Sequence, residues 1–117
     1  MLSTLSSFTH IINCFEILVQ DIRSDLSKTK VKLILKAYSV LFLREIIIDG
    51  FLFDYSYHWQ SAQGLLIIRW DNAAHYPYLE TFPHHKYIGT ENNVECSHER
   101  NLGDVLHYIN NQLNIVL

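Results

Sequence analysis

This 117-residue chain holds few of the residues that punctuate or staple a backbone: four glycines, two prolines and two cysteines. The glycines are isolated, so no glycine-rich loop is present to cradle a phosphate. Cys14 and Cys96 lie far apart without CxxC spacing, which argues against a disulfide framework and for a reducing compartment. Charge is scarce as well. With 18% charged residues and a net charge of −3, the chain has no global pull toward nucleic acid, and phosphate contact must come from a local patch. The longest apolar run, Ala37 to Ile48, is broken by Arg44 and Glu45 and is too short to span a bilayer. Met1 to Phe8 carries no basic leader of the signal-peptide kind. A hydrophobic fraction of 49% excludes a disordered chain, and the length suits one core. The expectation is a soluble cytoplasmic protein, one domain over residues 1–117, with no membrane partner.

What the chain does have is concentrated. Between Tyr57 and Lys86 lie four of seven histidines, both tryptophans and both prolines. The runs are Tyr57-His58-Trp59-Gln60, Ile68-Arg69-Trp70-Asp71-Asn72-Ala73-Ala74-His75 and Thr81-Phe82-Pro83-His84-His85-Lys86. Folding alone does not call for this composition. Clustered histidines suit proton transfer, metal ligation or phosphate contact near neutral pH.

Periodicity divides the chain. Phe8, Ile11, Ile12, Phe15, Leu18, Val19, Ile22 and Leu26 recur at intervals of three and four, which predicts a helix over Leu5–Leu26. After Lys28-Thr29-Lys30 the period falls toward two, predicting strands at Val31–Leu35, Tyr38–Ile48, Phe51–Gln60 and Leu65–Asp71. Asp49-Gly50 marks a tight hairpin turn. Lys86–Ile88 and Val94–Cys96 read as short edge pieces around a proline-punctuated loop. Asn101 caps a final helix whose apolar stripe is Leu102, Val105, Leu106, Ile109 and Leu113. The fold class is therefore α+β: an antiparallel β-meander of about four strands packed against an N-terminal and a C-terminal helix.

A turn centred on Ala62-Gln63 pairs Trp59 with Leu66, Tyr57 with Ile68 and Tyr55 with Trp70 on one face. The other face then carries Ser56, His58, Arg69 and Asp71, with Glu45 beside Asp54 if the Asp49-Gly50 hairpin is regular. The ordinary reading is a solvated face with a surface ion pair and core tryptophans. The sharper one is a site floored by the sheet and covered by the Asn72–Lys86 loop. Asp71, His75, His84 and His85 have the chemistry of metal ligands, but their spacing matches no ligand motif, and no metal or other cofactor is expected. Histidine acid/base catalysis fits better. Cleaving RNA through its own 2′-hydroxyl needs a proton acceptor, a proton donor and a cation for the phosphorane. His58 with His84 or His85 would move protons, Arg69 and Lys86 would hold phosphate, and Asp71 would orient Arg69 or a histidine. Ser56, Asn72 and His75 would line the substrate. Asp54, Asp71 and Glu45 give a smaller basis for magnesium-dependent nucleotidyl transfer, and a non-enzymatic docking surface is the third reading.

The run Tyr55-Ser56-Tyr57-His58-Trp59-Gln60, then Leu66-Ile67-Ile68-Arg69-Trp70-Asp71-Asn72-Ala73, then Thr81-Phe82-Pro83-His84-His85-Lys86, closely resembles the TumE-type toxins of prokaryotic toxin–antitoxin pairs. The resemblance spans about Val31 to Ile109. It departs at Ala74 and Tyr76, where members tend to have proline and histidine, and at Tyr87, where they often have histidine. The resemblance implies a toxin neutralised by a cognate antitoxin, often one with a DNA-binding segment, and RNA cleavage as the toxic act. At fold level the arrangement also looks like a RelE/barnase-like ribonuclease. A homodimer is left open. The antitoxin is expected to bury apolar area at Leu41, Leu43, Leu65 and Ile67 and to cover the Asn72–Lys86 loop.

Overall fold

The computed structural model describes the backbone of residues 1–116 and the side chains through residue 113. One antiparallel sheet of seven strands runs in chain order, each strand paired with the next. These are β1 (Ile12–Ile22), β2 (Leu26–Leu35), β3 (Val40–Ile48), β4 (Phe51–Gln60), β5 (Leu66–Asp71), β6 (His85–Ile88) and β7 (Val94–Cys96). A short helix α1 (Leu2–Ser6) precedes the sheet and α2 (Leu102–Val116) follows it. This overturns the expected four strands between two helices, and with it the RelE/barnase-like reading.

The largest correction is the N-terminal helix, which is replaced by β1. Ile12, Phe15 and Ile17 lie opposite Leu35, Leu33 and Val31, but the ladder is irregular between Ile12 and Cys14 and again between Ile17 and Val19. Each irregularity adds a residue to an alternating strand, so a period of two reads locally as three. That is how a strand imitated a helical stripe. Lys28-Thr29-Lys30, expected to separate two elements, sits inside β2.

The core lies on one face of the sheet. Val31, Leu33, Leu35, Leu41, Leu43, Tyr55, Tyr57, Trp59, Ile68 and Trp70 meet Leu102, Val105, Leu106 and Ile109 of α2. Trp70 packs edge-on against Tyr108, ring centroids 5.7 Å apart. Burying a leucine or valine of this kind contributes about 1.5–3 kcal/mol each. Asn101 Oδ1 accepts from Asp104 N at 2.9 Å and Asp104 Oδ2 accepts from Arg100 N at 3.1 Å, a reciprocal cap that fixes where α2 starts.

Two hairpins differ from their expected registers. Trp59 opposes Ile68, Tyr57 opposes Trp70 and His58 opposes Arg69, a slide of two residues. The turn is wider than expected, closed by Ser61 N to Leu65 O at 2.8 Å, with Gly64 at φ +85°. A slide of two keeps every side chain on its own face. The β3–β4 hairpin slips by one, because Ile46 opposes Asp54 while Ile47 opposes Leu52, leaving Phe53 as the extra residue. Glu45 therefore opposes Tyr55 on the core face, not Asp54, and accepts a short hydrogen bond from the Tyr57 hydroxyl. Burial, then the Glu45 charge, pushes the Tyr57 hydroxyl far up and keeps it the donor.

Candidate active site

The alternation that buries Val31, Leu43, Tyr57 and Trp70 turns the intervening residues to the uncovered face. Register aligns them in two neighbouring rows across the strands. One row is Lys32, Phe42, His58, Arg69 and Tyr87. The other is Lys30, Arg44, Ser56, Asp71 and His85. An imidazole, His58, thus stands directly opposite a guanidinium, Arg69. A cleft of about 320 Å³ opens beside them, lined by Arg44, Asp54, Ser56, Arg69, Asp71 and Asn72 among others.

Arg69 is held from three sides. Its guanidinium carbon lies 4.3 Å from the Tyr87 ring centroid, Nη1 reaches Glu91 Oε1 at 2.5 Å, and Nε stops 3.6 Å from Asp71 Oδ2. Asp71 Oδ1 accepts from Ala73 N at 3.1 Å and lies 2.8 Å from His85 Nε2. That second approach falls off the ring N–H direction and is a close contact rather than a formed hydrogen bond, which leaves Nε2 without a hydrogen-bonded partner among the described residues. His85 Nδ1 bonds Pro83 O at 2.9 Å, and the ring sits between Tyr76 and Tyr87, almost wholly buried. His58 is half-buried with its ring edge near Phe42, centroids 6.5 Å apart. Burial first, and then the Arg69 charge, lower its pKa below the usual 6.5. At neutral pH it is an uncharged imidazole able to accept a proton.

The other expected site residues lie elsewhere. His84 and Lys86 belong to the helix-covered side of the sheet, away from His58 and Arg69. His84 stacks on Tyr55 and its Nδ1 bonds the Tyr55 hydroxyl at 2.9 Å. Burial pushes that hydroxyl up, so Tyr55 donates, and burial followed by the Arg100 charge lowers the His84 pKa. Lys86 opposes Trp70, pairs with Glu99 Oε1 at 2.9 Å and lies 5.2 Å from the Tyr108 ring. Glu99 also accepts from Trp70 Nε1 at 3.0 Å. Lys86 is thus tied to the base of α2. Asn72 uses both ends of its amide on backbone, accepting from Tyr55 N at 3.0 Å and donating to Phe53 O at 3.1 Å. It holds the β4 irregularity in place. Ser56 lines the cleft, while His75 is exposed in the loop against Tyr76.

The carboxylates considered for magnesium do not converge: Asp54 pairs with Arg44 at 3.0 Å and Glu45 lies on the opposite face. Among the described residues, no three of His, Cys, Asp and Glu are grouped to hold an ion. No helix among them is long and apolar enough to cross a membrane.

Sequence reasoning missed Arg44, Phe42, Tyr87 and the β2 lysines as members of this face. Their signal was present in the alternation Lys28, Lys30, Lys32 against Val31, Leu33, Leu35. It is hidden because the charged run Lys28-Thr29-Lys30 resembles a boundary between elements. The expected adhesion surface also changes: Leu41 and Leu43 are buried, Ile67 is half-buried, and only Leu65 of the four is fully exposed.

No curated protein and no solved structure matches this chain. The sequence pattern of the family described as toxin TumE matches residues 2–113, nearly the whole chain, and includes β1 as well as the histidine-bearing strands. That extent decides the matter: the chain belongs to the toxin TumE family, its role is that of a toxin, and its expected partner is an antitoxin.

Proposed function

We propose that this toxin cuts RNA in the cytoplasm through the RNA's own 2′-hydroxyl, without a metal ion. The observation that carries the reading is His58 directly opposite Arg69 on the uncovered face, with the imidazole held uncharged by burial and by that arginine. His58 takes the proton from a 2′-hydroxyl. The 2′-oxygen attacks the adjacent phosphorus, the bond to the 5′-oxygen breaks, and that oxygen takes a proton from water. The products are a 2′,3′-cyclic phosphate and a 5′-hydroxyl end, and His58 returns its proton to solvent. Arg69, with Arg44 and Ser56 beside it, neutralises the charge that builds on the phosphoryl oxygens. Asp71 is a positioning residue, fixing Arg69 from below while His85 closes in behind it. His84 and Lys86 support the fold around Tyr55 and α2 in this scheme, and do not touch substrate.

The partner follows from the apolar surface. Phe15, Ile17, Leu18 and Val19 of β1 are exposed, and so are Tyr78 and Phe82 of the loop. An antitoxin carrying a DNA-binding segment neutralises the toxin by covering such surface and the cleft together, and a salt-insensitive complex is expected because the contact is apolar.

The test is cleavage of total RNA by purified protein with and without EDTA, and by His58→Ala. Loss of a general base lowers the rate about 100- to 10,000-fold. Cutting that continues in His58→Ala, or that stops with EDTA, defeats the proposal.

A further inference from the structure

The uncovered face extends well past His58 and Arg69, and its outer part has no role in the fold or in the chemistry above. On β2, Lys28, Lys30 and Lys32 all point to this face, set by the alternation that buries Val31, Leu33 and Leu35. Among the described residues none of the three forms an ion pair, whereas Arg44, Arg69 and Lys86 each do. Across β1, Lys28 opposes Asp21, which is already paired with Arg23, and Lys32 opposes Glu16, while Lys30 stands between Val19 and Arg44, so cations outnumber carboxylates on this part of a chain whose net charge is −3. The Lys32 ammonium lies 5.9 Å from the Phe42 ring centroid, and Phe42 stands edge-to-face with His58. Phe42 is only half-buried although it is aromatic and central in the sheet. A second small cleft beside it is lined by Lys30, Phe42, Arg44, Ser56 and His58.

We infer that single-stranded RNA crosses the strands along the row Lys32, Phe42, His58 and Arg69. One base stacks on Phe42, and Lys30 and Lys32 hold the phosphates upstream of the bond cut at His58. The row spans three strand spacings, about 14 Å. Its make-up, a stacking ring between cations with no hydrogen-bonding frame for base edges, is that of sequence-tolerant single-strand binding. Tyr87, the last aromatic of the row, is buried under Arg69 and supplies support instead of a stacking surface. This assignment rests on the ribonuclease reading for its choice of RNA, but it makes a separate claim about binding.

The probe is a short unstructured oligoribonucleotide methylated at its 2′-oxygens, so that it binds without being cut, with fluorescence anisotropy as the readout. Phe42→Leu, which keeps apolar volume but removes the ring face, is expected to weaken binding about tenfold. Lys30→Gln with Lys32→Gln is expected to weaken it further and to flatten the dependence of log affinity on log salt by about 0.7 per lysine. Surface lysines fold freely in either form, so the lysine pair keeps the test valid if Phe42→Leu is unstable. His58→Ala should fail to cut ordinary RNA. Unchanged affinity and salt slope in the lysine variant overturn the path even if His58 proves catalytic. Weakened binding in these variants together with cutting that survives His58→Ala upholds the path and defeats the catalytic reading instead. Tighter binding of a DNA strand of the same sequence overturns the assignment to RNA.

Discussion

Alternate residues of the same strands meet two different fates in this sheet. Toward α2, polar groups were matched as they were buried: Tyr57 to Glu45, Trp59 Nε1 to Ser39 Oγ at 3.2 Å, Trp70 Nε1 to Glu99, His84 to Tyr55. Each unmatched group there would cost about 1–3 kcal/mol, so the helix-covered face has little freedom to keep reactive side chains. Toward the open side, Lys30, Lys32 and His58 face water, and stability does not dictate their partners. The comparison teaches where chemistry can reside in a one-layer meander: on the face that folding leaves unmatched. Substitutions on the two faces should accordingly separate stability from activity.

The largest effect on folding is expected at the foot of α2. Leu106→Ala removes a fully buried side chain facing the sheet and should cost about 2–5 kcal/mol in urea unfolding. Lys32→Ala on the other face should stay within about 0.5 kcal/mol. Comparable losses for the two would show that the faces are not energetically distinct.

A smaller loss, about 1–3 kcal/mol, is expected for Tyr57→Phe, which leaves the Glu45 carboxylate buried at 8% exposure without its donor. Adding Glu45→Met should recover much of it, because removing both polar partners leaves a matched apolar pair. If Tyr57→Phe alone unfolds at the parent's midpoint, the Glu45 contact contributes nothing and the matching argument fails.

How much of this was legible in the sequence depends on the regularity of each strand. The strands at Phe51–Gln60 and Val94–Cys96 fall where they are expected, and from Asp54 onward β4 alternates cleanly. The face of His58, Ser56, Arg69 and Asp71 was also legible, since a two-residue slide preserves faces. Irregular strands were not. The two extra residues of β1 gave a false helical period, and the extra Phe53 moved Glu45 from the site face to the core. Lys86 and His84 were misplaced for a related reason. Neighbours in a sequence motif, His84, His85 and Lys86 alternate in direction, so only His85 reaches the Asp71 side. A motif reads as one site until strand direction divides it.

The smallest expected effect is also the most direct test of how the two faces differ, because it concerns a titration and not a fold. His58 has its pKa lowered in the folded state, by burial first and then by Arg69. The folded protein therefore binds this proton less readily than the unfolded chain. The stability contribution is present above the unfolded value near 6.5 and is lost as pH falls through the folded value. His84, lowered by burial and Arg100, acts in the same direction, so the protein should lose some stability on mild acidification. In kcat/KM the acid limb belongs to the free enzyme's base and should lie below 6.5. Arg69→Gln removes the charge contribution and leaves burial in place. The His58 titration followed by NMR should then move up. Its residual activity, though lower, should show the acid limb displaced in the same direction. His84, which faces Arg100 across the other side of the sheet, should titrate as before. If the His58 resonance moves and the acid limb does not, some other group is the base. If His84 moves equally, the two faces of the sheet are electrostatically one.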